Sequence, residues 1–110
     1  MSRHQAFVSV EGRTLLVVAG YDRPTKEVFL EVVVDDIDDA AADEAPLYSS
    51  LAAPQRDWTD VRTLARVLDE LGLMVPAGLI DAVRGDQLAN TGNRVVVHHF
   101  DREPEVLLAG

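Results

Sequence analysis

Two adjacent histidines near the carboxyl end of the chain are the residues best suited to acid–base chemistry or metal binding. Histidine titrates near neutral pH and is the commonest metal ligand, so His98 and His99, with nearby carboxylates, could serve a small hydrolase or a metal-dependent enzyme. The valines before them predict a strand, in which neighbouring side chains point to opposite faces. A structural role is therefore favoured for both histidines, and His4 joins them only if the first and last strands are neighbours.

The run from Asp35 to Glu44 contains six carboxylates and no basic residue. Hard cations bind such oxygen-rich loops, but an EF-hand starting at Asp36 would need glycine at 41 and glutamate at 47, where the chain has Ala41 and Leu47. A mobile, solvated acidic loop at about 35–46 is favoured over a weak divalent site. The carboxylates considered for such a site are Asp36, Asp38, Asp39 and Asp43.

Other common catalytic patterns are missing from the sequence. There is no cysteine, no G-x-S-x-G nucleophile elbow, no G-x-G-x-x-G fingerprint and no phosphate-binding G-x-x-x-x-G-K-[ST] loop. The sequence therefore predicts no catalytic residue, no bound cofactor and no metal site, and it favours a non-enzymatic protein.

The charge of the chain limits its partners. Nineteen acidic against ten basic residues give a formal charge of −9, which disfavours direct binding to nucleic acid or to an anionic membrane. A basic protein or a nucleoprotein is the expected partner, although excess charge also serves solubility alone. No apolar stretch approaches the roughly 20 residues of a membrane span, and no signal-peptide pattern is present, so a cytoplasmic location is predicted.

Large aromatic and arginine side chains in or beside predicted loops are candidates for partner contact, because Tyr, Trp and Arg are enriched at binding hot spots. The first long turn, from Tyr21 to Lys26, contributes Tyr21 and Arg23 together with Asp22, and each candidate could equally be a core edge or a turn anchor. Together with the acidic loop they form the predicted partner-binding set: Tyr21, Asp22, Arg23, Asp35, Asp36, Asp38, Asp39, Tyr48 and Trp58.

The sequence pattern of the first half of the chain predicts β-strands. Ala6, Val8 and Val10 alternate with more polar residues, and Glu11-Gly12 predicts a tight hairpin into an apolar run from Thr14 to Ala19 that is expected to be the central strand. A third strand, 27–34, is predicted to bury its even-numbered residues: Val28, Leu30, Val32 and Val34. The segment 47–51 is either a short edge strand or an extended tie-down.

The second half reads as two helices and a returning strand. Apolar residues at three- and four-residue spacing between Val61 and Leu71 predict a helix that Asp57 or Thr59 caps and Gly72 ends. Pro76 begins a second helix that runs to about Asn90 and is expected to turn Leu79, Val83 and Leu88 to the sheet; the final strand follows at 94–100. The prediction is one α+β domain over residues 1–110, a two-layer sandwich with both helices on one face of a mainly antiparallel sheet.

Three short stretches resemble small uncharacterised acidic proteins of bacterial plasmids and mobile elements. They are GYDRP from Gly20 to Pro24, LYSSL from Leu47 to Leu51, and the D-x-x-x-N-x-G-N-R stretch from Asp86 to Arg94. The resemblance implies a mobile-element accessory protein and no specific activity.

The sequence thus favours an acidic protein-interaction module. One form of it is an inhibitor of a basic or nucleic-acid-binding protein, of the anti-CRISPR or DNA-mimic type, in which carboxylates stand where the partner expects phosphates. An exposed sheet edge or the apolar face of the second helix could also make a homodimer.

Overall fold

The computed structural model describes residues 1–34 and 48–109, which form an α+β fold with a six-stranded mixed sheet and two helices. The described strands lie in the order β4-β3-β2-β1-β5-β6. Only β1 and β5 are parallel, so the sheet is mostly antiparallel and the predicted fold class is confirmed. The elements are β1 (Ser2–Val10), β2 (Arg13–Asp22), β3 (Glu27–Val34), β4 (Tyr48–Ser49), α1 (Val61–Glu70), α2 (Ala77–Ala89), β5 (Arg94–His98) and β6 (Glu105–Ala109).

The predicted first hairpin is confirmed. Glu11 and Gly12 both have positive φ, 52° and 79°, which matches the twist that a two-residue loop needs between antiparallel strands. The turn sets a register in which Val8 faces Leu15 and Ala6 faces Val17. Both pairs are buried, so the alternation in the sequence marks the core side of the sheet.

The second turn is shorter than predicted. Strand β2 continues through Tyr21 and Asp22, and the turn covers only 23–26, with Lys26 at a φ of 59°. The placement of Tyr21 and Asp22 in a turn was wrong because their pairing with β3 extends the ladder to Asp22 opposite Glu27. Strand β3 has the predicted bounds; Val28, Leu30 and Val32 are buried as predicted, and Val34 is partly buried and packs against the core.

The acidic segment 35–47 lies outside the described residues, and with it lie the predicted loop and the divalent site considered there. Beyond it, Tyr48 and Ser49 form a two-residue strand against β3, and Ser50–Ala52 form a 3₁₀ helix. The Ser50 hydroxyl oxygen accepts from the Leu30 amide at 3.1 Å, and the Trp58 carbonyl accepts from the Val28 amide at 2.7 Å. The segment therefore forms an edge strand and also holds β3 in place through a side-chain hydrogen bond.

Helix α1 lies where the apolar spacing predicts it. Its cap is Asp60, whose side chain accepts from the Arg62 amide, and not Asp57 or Thr59 as expected. The Asp57 carboxylate instead caps the preceding turn by accepting from the Thr59 amide. Gly72 follows the helix at a φ of 71°, the left-handed conformation predicted for its end.

Helix α2 also matches its prediction, with Pro76 before its first residue and Asn90 ending it at a φ of 53°. Leu79 and Val83 are buried as expected. Leu88 is 82% exposed, so its predicted contact with the sheet was wrong. Asp86 is the residue that faces the sheet in this part of the helix, for reasons that concern the candidate site.

The end of the chain departs from the prediction. Strand β5 stops at His98 rather than at Phe100, and it is followed by a further antiparallel strand, β6, that the sequence analysis missed. The missed strand has mixed polarity and a register shift against β5 between Val95 and Val96, so it lacks a clean alternation. Strand β5 lies parallel to β1, with Ser2 opposite Arg94 and Ala6 opposite His98.

Within residues 1–34 and 48–109, one face of the sheet is covered by the helices and the other is not. Both helices contact the face that carries the buried strand residues, and these residues form the core with the inner sides of α1 and α2. The core residues are Ala6, Val8, Leu15, Val17, Ala19, Val28, Leu30, Val32, Ala53, Trp58, Val61, Leu64, Val67, Leu68, Leu79 and Val83. In the described part of the chain, no helix is long and apolar enough to cross a membrane.

Candidate functional site

Three ionisable side chains form a continuous hydrogen-bonded chain under helix α2, here called the imidazole chain: Asp86, His4 and His98. His4 Nε2 lies 2.6 Å from Asp86 Oδ2, and His4 Nδ1 lies 2.8 Å from His98 Nε2. Their exposures are 1%, 0% and 4%, respectively. Such buried polar groups are stable only when hydrogen-bonded, and each of the three is.

The parallel pairing of β1 with β5 builds this site. It sets His4 opposite Val96, so that His4 and His98 lie two positions apart along the sheet and on the same face. Helix α2 brings Asp86 over the pair. Arg94, at the start of β5, donates from Nη1 to Asp86 Oδ1 at 3.1 Å, so both carboxylate oxygens are hydrogen-bonded.

The hydrogen bonds restrict the tautomers of the two rings. An ionised carboxylate only accepts, so His4 Nε2 carries the hydrogen that is donated to Asp86. When His4 is neutral, its Nδ1 must accept from His98 Nε2, and His98 Nδ1 then has a free lone pair. When His4 is an imidazolium, its Nδ1 donates to His98 instead, and His98 Nδ1 carries a hydrogen.

The surroundings shift the pKa of two members of the chain. Burial raises the pKa of Asp86, but hydrogen bonds from His4 and Ser2 and the charges of His4 and Arg94 outweigh it, so the pKa lies below its ordinary value. Burial first, and then the charges of His4, Arg94 and His99, lower the pKa of His98 to about 4 against the opposite effect of Asp86. At neutral pH the chain therefore contains an ionised Asp86 and an uncharged His98.

His98 Nδ1 lies near the first turn of helix α2. An added Cβ on Gly78 would lie 3.9 Å from His98 Nδ1, and no described residue makes a hydrogen bond to that nitrogen. Pro76 provides no side-chain cap, and among the described residues the N–H groups of Ala77 and Gly78 have no acceptor. Ala77 and Gly78 are exposed, so this corner opens to solvent.

His99 belongs to a different site. Its side chain is 18% exposed and its Nε2 lies 2.9 Å from the carboxylate of Glu105 on β6, to which Arg102 also approaches within 3.4 Å. The two neighbouring histidines thus share no site, although β5 ends at His98 and the alternation predicted for a strand does not extend to His99. Among the described residues, no group of three or more metal-ligating side chains is arranged to hold a metal ion.

The uncovered side of the sheet, here called the open face, is the second candidate. Its apolar side chains are partly or largely exposed, and Phe7 at 49% is the most exposed of them. In register, Phe7 lies opposite Leu16 and Leu16 opposite Val33, so apolar residues cross three strands in one row. The apolar members of the open face are Phe7, Leu16, Val18, Phe29, Val33, Val95 and Val97.

A groove of about 270 Å³ lies at the side of the open face and continues around strand β3. Phe29 and Val18 form part of its apolar lining, and Asp22, Glu27 and Glu31 bring three carboxylates. The other residues that line it are Met1, Arg3, Thr25, Val28, Ser50, Leu51 and Trp58. None of the three carboxylates forms an ion pair within the described part of the chain.

The predicted partner-binding residues are divided by the fold. Tyr21 is 2% exposed and donates its hydroxyl hydrogen to Asn90 Oδ1 at 2.7 Å, and Trp58 is 4% exposed and donates to the Ala53 carbonyl. Both are structural side chains of the covered face. Trp58 also lines the groove with part of its ring.

Asp22 lines the groove, and the exposed Arg23 lies against Gly92. Tyr48 is half-buried, its ring 6.5 Å from that of Trp58, and its hydroxyl has no hydrogen-bond partner among the described residues. The four aspartates of the predicted set, Asp35, Asp36, Asp38 and Asp39, lie outside the described residues.

Sequence reasoning missed Asp86 and did not place His4. The available signal was an aspartate on the same face of α2 as Leu79 and Val83, where an apolar residue is expected. A carboxylate at such a position needs a buried partner. Glu27, Phe29 and Glu31 were recognised only as the outward side of β3.

No protein-family model, curated protein or solved structure matches this chain.

Proposed function

We propose that the chain is a non-enzymatic acidic module that binds a basic segment of another protein on its open face. The observation that carries the proposal is the groove in which Asp22, Glu27 and Glu31 surround apolar side chains without any ion pair to a described residue. A solvated apolar sheet face beside unpaired carboxylates suits a partner that is apolar and positively charged at once.

The expected occupant is a lysine or arginine side chain that lies on the ring of Phe29. A cation is attracted to the face of an aromatic ring, and Glu27 and Glu31 lie on the same side of β3 as Phe29, two residues away in each direction. Neighbouring apolar residues of the segment would pack on Val18 and Leu16. Among the described residues that line the groove, Arg3 has the cationic side chain, and it would lie at the edge of the contact and exclude a second base there.

The net charge of −9 supports a broader form of this proposal. A cytoplasmic accessory protein of a mobile element that inhibits a basic or nucleic-acid-binding partner is consistent with the groove and with the net charge. Complementary charge raises association rates and selects basic partners. Replacing Asp35, Asp36, Asp38 and Asp39 by Asn should slow association without unfolding the protein, because it removes four of the negative charges that attract a basic partner.

The test uses a capped basic peptide that contains lysine, arginine and leucine, and a counterpart in which glutamate replaces each base. In amide NMR spectra the basic peptide should shift Val18, Phe29 and Glu31, and the acidic peptide should not. The double substitution Glu27→Gln and Glu31→Gln should weaken binding about fivefold to tenfold, since each exposed ion pair contributes up to about 1 kcal/mol. Added salt should weaken it further.

A charge-matched control is Asp69→Asn with Asp81→Asn, which removes two exposed carboxylates from the helices. It should change the affinity less than about twofold. Equal loss in both double variants would mean that the peptide follows net charge alone, and shifts confined to the helices would place the contact elsewhere; either result overturns the proposal. Sedimentation velocity should also show a monomer. A dimer that buries the open face would mean that a second copy of the chain, rather than a basic segment of another protein, binds there.

A further inference from the structure

Two carboxylates of the groove stand opposite each other on neighbouring strands. Asp22 of β2 and Glu27 of β3 are partners in the antiparallel register, and both line the groove. Like charges at opposite positions of a sheet repel, and neither carboxylate has an ion-pair partner among the described residues. The Thr25 hydroxyl donates to Asp22 Oδ2 at 2.9 Å, so the turn holds one member of the pair in place. A single cation that bridges the pair would relieve its repulsion.

The ring of Phe29 lies beside this carboxylate pair. Phe29 follows Glu27 by two residues, so both side chains are on the same side of β3. In register, Phe29 is opposite Gly20, and its Cζ atom is 2.8 Å from the position that a Cβ on Gly20 would occupy. The ring therefore reaches over β2 and fills the place where the glycine has no side chain. It is only partly buried and lines the groove, so aromatic surface and two carboxylates are neighbours there.

We propose that the groove selects arginine over lysine in the basic segment, with the guanidinium on the carboxylate pair. This selectivity rests on the proposed function, because it concerns the base that the segment places in the groove. A guanidinium is planar and has five N–H donors, so one group donates to both Asp22 and Glu27 while its flat face stacks on Phe29. A lysine ammonium is a strongly hydrated point charge and has no flat face to stack.

The other charged groups of the groove do not distinguish the two bases. Glu31 is opposite Val18 rather than another acid, so it attracts an ammonium and a guanidinium alike. A metal ion is not the expected occupant, since no metal-binding group of three or more acidic, histidine or cysteine side chains is found in the described part of the chain. The selectivity therefore depends on Asp22, Glu27 and Phe29.

The experiment compares two forms of the capped basic peptide that have the same length and charge. Every base is arginine in one form and lysine in the other, and each is titrated into the whole chain at the same salt concentration. The arginine form should bind about fivefold to tenfold more tightly, because it adds ring stacking and a second charge-assisted hydrogen bond. Amide NMR shifts at Val18 and Phe29 place both forms in the groove.

Glu27→Gln tests the carboxylate pair. Its affinity for the arginine form should fall more than its affinity for the lysine form, which reduces the preference to about twofold or less. The melting temperature should not fall, because the substitution removes a repulsion from an exposed position. Glu31→Gln is the matched control on the same strand, and it should weaken both forms by a similar factor and keep the preference.

Phe29→Leu tests the ring. The leucine side chain remains apolar but cannot stack on a guanidinium, so the preference for arginine should fall, and Phe29→Tyr, which keeps the ring, should restore it. Phe7→Leu is the matched control, because Phe7 is an exposed aromatic residue of the open face that does not line the groove. It should keep the preference of the parent chain.

The outcomes separate the selectivity from the function on which it rests. Equal affinity of the parent chain for the two forms, with shifts at Val18 and Phe29, would overturn the arginine preference and leave the basic-segment function standing. Absence of binding by both forms would overturn that function and the preference with it. A preference that is unchanged in both Glu27→Gln and Phe29→Leu would be a property of the peptides rather than of the groove, and it would also overturn the proposal.

Discussion

The two faces of the sheet differ in whether their ionisable side chains are buried and paired or solvated and unpaired. On the covered face, Asp86, His4 and His98 are buried and every one is hydrogen-bonded to another member of the chain. On the open face, the carboxylates of Glu27 and Glu31 have no ion-pair partner among the described residues and lie beside half-buried apolar side chains. Burial compels pairing because an unpaired charge away from water is costly, whereas solvated charges stay available to a partner.

The difference predicts that the same type of substitution has very different consequences on the two sides. A change in the imidazole chain removes a partner from a buried charge, and a change on the open face removes a side chain that water already contacts. Stability should therefore depend on the covered face, and recognition of a basic partner on the open face.

The largest expected effect is that of Asp86→Ala. It leaves His4 and Arg94 without their common acceptor and should lower the free energy of unfolding by about 3–5 kcal/mol, measured by urea denaturation. Asp81→Ala, an exposed carboxylate on the same helix, is the control and should change it by no more than about 0.5 kcal/mol. Similar losses in both variants would mean that the imidazole chain contributes no more than a surface charge.

The next effect is the dependence of stability on pH. The pKa of His98 is about 4 in the folded protein and 6.5 without the fold, so between these values the unfolded chain binds more protons. The free energy of unfolding should therefore fall as pH falls from about 6.5 to 4, by up to about 3 kcal/mol for this group. Urea denaturation at a series of pH values measures it.

Two substitutions sharpen the pH prediction. His98→Gln should remove most of the slope in this window, whereas His99→Gln, which changes the solvated neighbour, should keep it. A slope unaffected by His98→Gln would assign it to other groups.

The smallest effect compares neighbours on one strand. Val32 is 2% exposed on the covered face, and Val33 is half-buried on the open face. Val32→Ala should cost about 2 kcal/mol because it leaves a cavity in the core, and Val33→Ala should cost less than about 1 kcal/mol. Thermal and urea unfolding compare them directly. Equal costs would mean that the open face is covered in solution, for example by a second copy.

Much of the local structure could be predicted from sequence because it depends on neighbours along the chain. Glu11-Gly12 favours the tight turn, the alternation in β3 marks its buried face, and apolar spacing marks the inner side of α1. The predictions were wrong where pairing between residues far apart in the sequence determined the extent of a strand. Pairing with β3 extended β2 through Tyr21, and pairing with β5 formed β6 from residues without clean alternation.

The candidate sites depended more on tertiary structure. By itself, the sequence determined the acidic charge, the α+β class and the lack of familiar catalytic motifs, because these follow from composition and short-range periodicity. Only the fold brought His4 and Asp86, which are 82 residues apart, within hydrogen-bond distance. It did so because β5 inserts parallel to β1 beneath α2, and strand order across a sheet is set by packing of the whole chain rather than by any local pattern.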